Sequence, residues 1–274
     1  MTGRGSTGVV RARAWIADHR ITVFVPLAIA LSWAYWLPLA IGSATTEPGV
    51  GWPTQMPGLL GPALAAVVVT ALAEGRRGLR DFGLRLLRWR VGWWWLPVIL
   101  TLVAGAVGIA ISGVDRATDL TEFNGVSSSA GALATVLIVF VLNGIGEEAG
   151  WRGFLTDRLL RRHGLVTTSL LVTLVWAPWH APLFFLVGSF QEFSALEIIG
   201  WLIGLTAGSF LLTWLYRGAS SSILVVATWH TAFNFVSGAT AASEGLAAAI
   251  TSTLVMIAAL AIVVVELRRR SSPA

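Results

Sequence analysis

Residues 129–152 read SAGALATVLIVFVLNGIGEEAGWR. The first half of this stretch is suited to a bilayer, since a spanning helix needs about 20 mostly apolar residues. Leu133 to Leu142 alone holds eight large apolar side chains, worth about 2.4–4.8 kcal/mol of insertion energy together. The second half carries Glu147 and Glu148. Each would cost about 2.5–3.5 kcal/mol if left unpaired at a helix centre, enough to cancel the apolar gain. The segment can be a membrane helix only if both carboxylates face a polar interior with partners, and ionisable groups so placed mark function by default.

The rest of the chain follows the first half of that stretch. Of 274 residues, 55% are hydrophobic and only 12% charged, about half the charged share of a soluble domain. The mean hydropathy is +0.76. Such a chain cannot build a water-facing surface, which excludes a soluble enzyme, a disordered protein and a nucleic-acid-binding module. The net charge of +5 comes from 19 basic residues, all arginine, and is read as an orientation signal. There is no cysteine, which removes disulfides, thiolate nucleophiles and sulfur metal sites. A metal would need His, Asn or carboxylate ligands.

Eight apolar runs are expected to span, near 21–42, 57–74, 93–113, 129–150, 166–187, 195–216, 220–238 and 244–265. The first, Ile21 to Gly42, exceeds the 7–15 residues of a signal's apolar region and precedes no clear cleavage site. Alternate loops then collect 18 of the 19 arginines: Arg4, Arg11, Arg13 and Arg20; Arg76, Arg77, Arg80, Arg85, Arg88 and Arg90; Arg152, Arg158, Arg161 and Arg162; Arg217; and Arg268, Arg269 and Arg270. The opposite loops carry Arg116 with Glu47, Asp115, Asp119, Glu122, Glu192, Glu197 and Glu244. The expectation is an all-α polytopic membrane protein with eight transmembrane helices and both termini cytoplasmic. It comprises a basic segment 1–20, a single membrane domain 21–265 and a tail 266–274. Within it, 75–92 is expected as an interfacial basic helix, with Leu79, Phe82, Leu86 and Leu87 on one face and Trp89, Trp93, Trp94 and Trp95 at headgroup level. No internal repeat is evident.

Polar groups enter the membrane in three runs. The fourth holds Glu147 and Glu148, the fifth holds Trp176-Ala177-Pro178-Trp179-His180, and the seventh holds His230-Thr231-Ala232-Phe233-Asn234. Measured from the arginines or the start of the span at about 1.5 Å per residue, Glu147, His180 and His230 all fall about 20 Å in. One polar layer on three helices results, provided the fourth helix runs past Arg152. Glu148 and Arg152, at i and i+4, are in the favourable order for an ion pair. His230 and Asn234 share a helix face by the same spacing, and Gly144, Gly146 and Gly150 permit close helix approach or a bend. Taken singly, a buried His is often a packing residue and an Asn helix-to-helix glue. Two Glu, two His and an Asn at one depth are harder to read that way.

These residues resemble a known family. Glu147-Glu148-Ala149-Gly150-Trp151-Arg152 matches the EExxxR motif of the CAAX-protease and bacteriocin-processing (CPBP, formerly Abi) intramembrane proteases, the type II CAAX prenyl protease group. Trp176 to His180 is similar to their FxxxH motif, with Trp in place of the usual Phe, and His230 to Asn234 to their HxxxN motif. The Trp is taken only as keeping an aromatic wall. The resemblance covers about 75–240, with its motif core at about 129–240. It implies an endopeptidase whose cavity opens to the cytoplasm and the lipid. Glu147 would be the base that activates water, His180 would position that water or bind a metal, and His230 and Asn234 would stabilise the oxyanion or complete a metal site. Glu148 and Arg152 would brace Glu147. A base, a held water and oxyanion donors are what amide hydrolysis requires.

Two His and a carboxylate would also suit a catalytic zinc through His180, His230 and Glu147, so metal-assisted and metal-free schemes both stand. The implied partner is a peptide or protein substrate, with or without a lipid, met in a bacterial plasma membrane and not with nucleic acid. The bacterial assignment rests on the Arg-only, Ala- and Gly-rich composition. Two other readings use the same residues: a non-enzymatic immunity or scaffold protein of this fold, and a proton-coupled transporter.

Overall fold

The computed structural model describes residues 11, 13–113, 120–243 and 245–271. Arg4, Asp115, Arg116, Asp119 and Glu244 of the charge pattern lie outside these, as do residues 1–10 and 12 of the expected basic segment and residues 272–274 of the tail. The described chain is a bundle of long helices: α1 Arg20–Ile41, α2 Gly61–Leu86, α3 Leu96–Ser112, α4 Ser128–Leu159, α5 Leu165–Trp179, α6 Ala195–Gly218, α7 Ile223–Gly238 and α8 Leu246–Ser271. This is an all-α polytopic membrane architecture. Seven of the helices, with their flanking turns, are long and apolar enough to cross a bilayer, and α7 is a shorter apolar helix in the place of the expected seventh span. Their outward faces are apolar too: Ile99, Val103 and Val107 of α3 and Ile257, Leu260 and Val264 of α8 are exposed, as helices bathed in lipid require.

Three elements differ from the expectation. The second span and the basic helix form one element, α2, interrupted at Gly75, whose φ of 62° and ψ of −152° are open to glycine alone. The fourth helix continues to Leu159, nine residues beyond its expected end. The fifth stops at Trp179, with His180 as its C-cap and a 3₁₀ turn over Ala181–Phe185. Pro182 explains that stop, because it has no N–H to continue the ladder and restricts the residue before it. His180 therefore sits at a helix break within its apolar run.

Loop contacts gather at the two ends of the bundle. At one end Glu74 accepts from Arg20 at 3.0 Å and from Arg158 at 2.5 Å. Beside it Arg85 pairs with Asp157 at 3.2 Å and donates to the Tyr216 hydroxyl at 2.7 Å. At the other end the Thr46 hydroxyl donates to Asn124 at 2.7 Å and the Gln55 amide to the Asn124 carbonyl at 2.9 Å. Between these ends, buried tryptophans pin helices together. Trp36 donates to the Gln55 carbonyl, Trp179 to the Ser32 hydroxyl and Trp229 to the Thr101 hydroxyl, each within 2.9 Å. An indole supplies a large apolar body and one N–H to satisfy, which suits it to this role.

Helix α4 is the centre of the bundle and is not a uniform α-helix. Val139–Ile145 and Trp151–Thr156 are π-helical, and Gly146–Gly150 between them is α-helical. The widened turns flank Glu147 and Glu148, the kind of place where such bulges concentrate. Glycines let neighbours close in. A Cβ on Gly150 would meet the Pro62 carbonyl oxygen of α2 at 2.6 Å, and one on Gly144 would meet the Ala227 carbonyl oxygen of α7 at 2.8 Å. Close approach on both sides seats α4 between α2 and α7.

Candidate active site

The site is built from α4 outward. Glu147 is 2% exposed, and Glu148 and Arg152 are fully buried. Glu147 Oε1 accepts from Asn143 Nδ2, one turn earlier on α4, at 2.9 Å. Its Oε2 accepts from the Trp176 indole N–H, across on α5, at 2.8 Å. Both donors are neutral, so they orient the carboxylate without adding a counter-charge. Asn143 is held in turn by Asn234 of α7, whose Nδ2 donates to Asn143 Oδ1.

The second glutamate takes the charged partners. Arg152 Nη1 donates to Glu148 Oε1 at 2.8 Å, the expected i, i+4 pair. His230 Nδ1 donates to the same oxygen at 2.8 Å, a link between α4 and α7 that sequence spacing could not supply. The Arg152 guanidinium also lies 4.2 Å from the centre of the Trp176 ring, a cation–π distance. Glu148 thus braces Arg152 and His230, while Glu147 takes its hydrogen bonds from uncharged groups.

His180 joins through the backbone. Its Nδ1 donates to the Trp176 carbonyl at 2.7 Å, and its ring packs edge-to-face on Trp179 and Trp201 at 4.7 and 5.3 Å between centroids. With Nδ1 bonded in both His180 and His230, each ring keeps Nε2 for another partner, an acceptor when the ring is neutral and a donor when it is protonated. The structure therefore brings all six expected residues into one network. Glu148, Arg152 and His230 touch directly, Asn234 reaches Glu147 through Asn143, and His180 is tied to it through Trp176.

Two members of the network were not expected. Asn143 reads as an isolated amide in an apolar run, although its i, i+4 spacing to Glu147 is the signal that would have found it. Trp176 is more than an aromatic wall equivalent to Phe, because its N–H makes a bond no phenyl ring can make.

The metal question has a geometric side. A zinc on His180, His230 and Glu147 needs three ligand atoms converging on one point. Among the described residues no group of three or more His, Cys, Asp or Glu side chains could hold a metal ion. As arranged, this donor set does not fit a three-ligand metal site.

The family described as type II CAAX prenyl endopeptidase Rce1-like matches residues 129–236. That interval begins in α4, ends in α7 and contains every residue of the network. This stretch of the chain is similar to the CAAX-protease family domain. Over 199 residues the chain is also 25% identical to CAAX prenyl protease 2 of Methanococcus maripaludis, an alignment covering 70% of this chain and 73% of that protein. The matched segment thus holds the three helices singled out by their intramembrane charge, with α6 between the last two.

Proposed function

We propose that this protein is an intramembrane endopeptidase in which Glu147 activates water for attack on a peptide bond of a membrane-proximal or lipidated substrate. The observation that carries the reading is the contrast between the two glutamates. Glu148 is spent on Arg152 and His230, whereas Glu147 is oriented by two neutral donors. A base must be held in place yet keep an oxygen lone pair for the proton it takes, and each Glu147 oxygen retains one after its single bond.

The steps follow from the residues. Water accepted by Glu147 and by Nε2 of His180 adds through its oxygen to the substrate carbonyl carbon, and its proton passes to Glu147. The carbonyl oxygen becomes an oxyanion, which His230 meets as an imidazolium donating from Nε2, its charge balanced by Glu148. Asn234 spends one N–H on Asn143, so we assign it first to holding the Asn143–Glu147 pair, with its second N–H left for the oxyanion. The C–N bond then breaks, and Glu147 returns its proton to the leaving amine. No metal enters this scheme, and a chelator should leave turnover unchanged.

The name of the Methanococcus maripaludis relative points to prenylated substrates, and we extend that class to this chain as a proposal, along with a site opening to the cytoplasm of a bacterial plasma membrane. The test is cleavage of quenched peptides, free and prenylated, by purified protein, beside E147Q and with and without a chelator. The proposal expects cleavage that E147Q abolishes. Cleavage surviving in E147Q would remove Glu147 as the base, and loss on chelation restored by zinc would replace the metal-free scheme. A folded protein inactive on every lipidated and free peptide would shift the reading to an immunity or scaffold role.

A further inference from the structure

One residue contacts both groups assigned to the attacking water; the family motif has a phenyl ring at its position, and the proposed chemistry gives its N–H no part. Trp176 is buried on α5. Its side chain donates from Nε1 to Glu147 Oε2 at 2.8 Å, and its backbone carbonyl accepts from His180 Nδ1 at 2.7 Å. Of the two donors to Glu147, Asn143 lies on the same helix and moves with it. Only Trp176 reaches across from another helix, and that helix ends one residue before His180. Helices α4 and α5 could slide or rotate against each other without stretching the Asn143 bond, but not without breaking the indole bond.

We propose that Trp176 is a positioning residue that sets the Glu147 carboxylate against the His180 imidazole, through its indole N–H to one and its carbonyl to the other. This rests on Glu147 being the base. A phenylalanine here would keep the ring under Arg152 and the carbonyl for His180 but leave Glu147 Oε2 without its cross-helix donor. The carboxylate could then rotate about its last bond, and only a fraction of bound substrates would meet it in a productive pose. Because the indole is buried and its N–H is committed to Glu147, the loss belongs in kcat with little change in KM.

The experiment compares wild type, W176F, E147Q and a chain carrying 3-benzothienylalanine at position 176, which keeps the indole's size and replaces N–H by sulfur. Rates are read on a cleaved peptide, with thermal unfolding in detergent as the check on folding. W176F and the sulfur analogue should each lose about 10- to 100-fold in kcat, the range for one hydrogen bond to a charged group. KM should stay within about twofold and unfolding within a few degrees of wild type. Should W176F fail to fold, the isosteric analogue still decides. Wild-type kcat in either folded variant, with E147Q inactive, would overturn the role of Trp176 and leave Glu147 as the base. An active E147Q would overturn the underlying reading instead. A loss confined to KM would assign Trp176 to substrate binding and also overturn the proposal.

Discussion

Asn143 and Asn234 lie 91 residues apart and are joined amide to amide, Asn234 donating to Asn143 while Asn143 donates to Glu147. Asn234 thus reaches the carboxylate through an intermediary. N143A and N234A should each lower kcat by about 10-fold or more, on the scale of one hydrogen bond to an ionised group. If Asn234 works mainly through Asn143, the double variant should cost little more than N143A alone, because residues in one network are not additive. A fully multiplicative loss, measured as kcat on one peptide, would assign Asn234 to the oxyanion alone.

The buried Glu148–Arg152 pair should be felt in stability as well as rate. Both side chains are 0% exposed, and removing one partner of such a pair costs about 3–5 kcal/mol by leaving a bare charge. R152M and E148Q should therefore unfold at lower temperature and express poorly. Replacing both by apolar residues should recover part of the stability but not the activity, since His230 would lose its acceptor. Unfolding temperatures of the two single variants equal to wild type would remove the bracing role.

Helix approach makes a third test. A Cβ at Gly150 collides with the Pro62 backbone, so G150A should destabilise by about 1–3 kcal/mol or more and disturb Glu147 with it. Gly200 on α6 has nothing within 4 Å of a Cβ, and G200A should fall within about 0.5 kcal/mol of wild type. Thermal unfolding of the two variants side by side checks the contrast.

Orientation can be tested because the chain has no cysteine of its own. Arg162 and Ser128 are exposed at opposite ends of the bundle. With the arginine-rich loops on the cytoplasmic side, R162C should react with an impermeant thiol reagent only after cells are opened, and S128C from outside. The reverse pattern would invert the topology.

Much of this architecture is legible in the chain. The apolar runs and the parity of the arginines place the helices, since burying or exposing a guanidinium differs so much in cost that position follows from charge. Glu148–Arg152 is legible because it lies within one helix, where spacing is geometry. The His230–Glu148 bond is not, because the rotation of one helix against another depends on packing surfaces such as Gly144 against Ala227. The end of α5 could have been read from Pro182. The π-helical turns around Glu147 leave no comparable mark, as they arise from how α4 fits between α2 and α7. The role of Trp176 is hidden for a simpler reason: an aromatic in place of Phe shows its ring in the sequence, whereas the target of its N–H depends on how α5 is turned towards α4.

The central claim is that Glu147 alone serves as the base while Glu148 braces its neighbours. Single-turnover cleavage of one prenylated peptide by wild type, E147Q and E148Q, each shown folded by thermal unfolding, tests it most directly. E147Q should bind the peptide with wild-type affinity and release no product, whereas E148Q should cleave slowly but measurably. Product formation by folded E147Q at the wild-type rate would contradict the account.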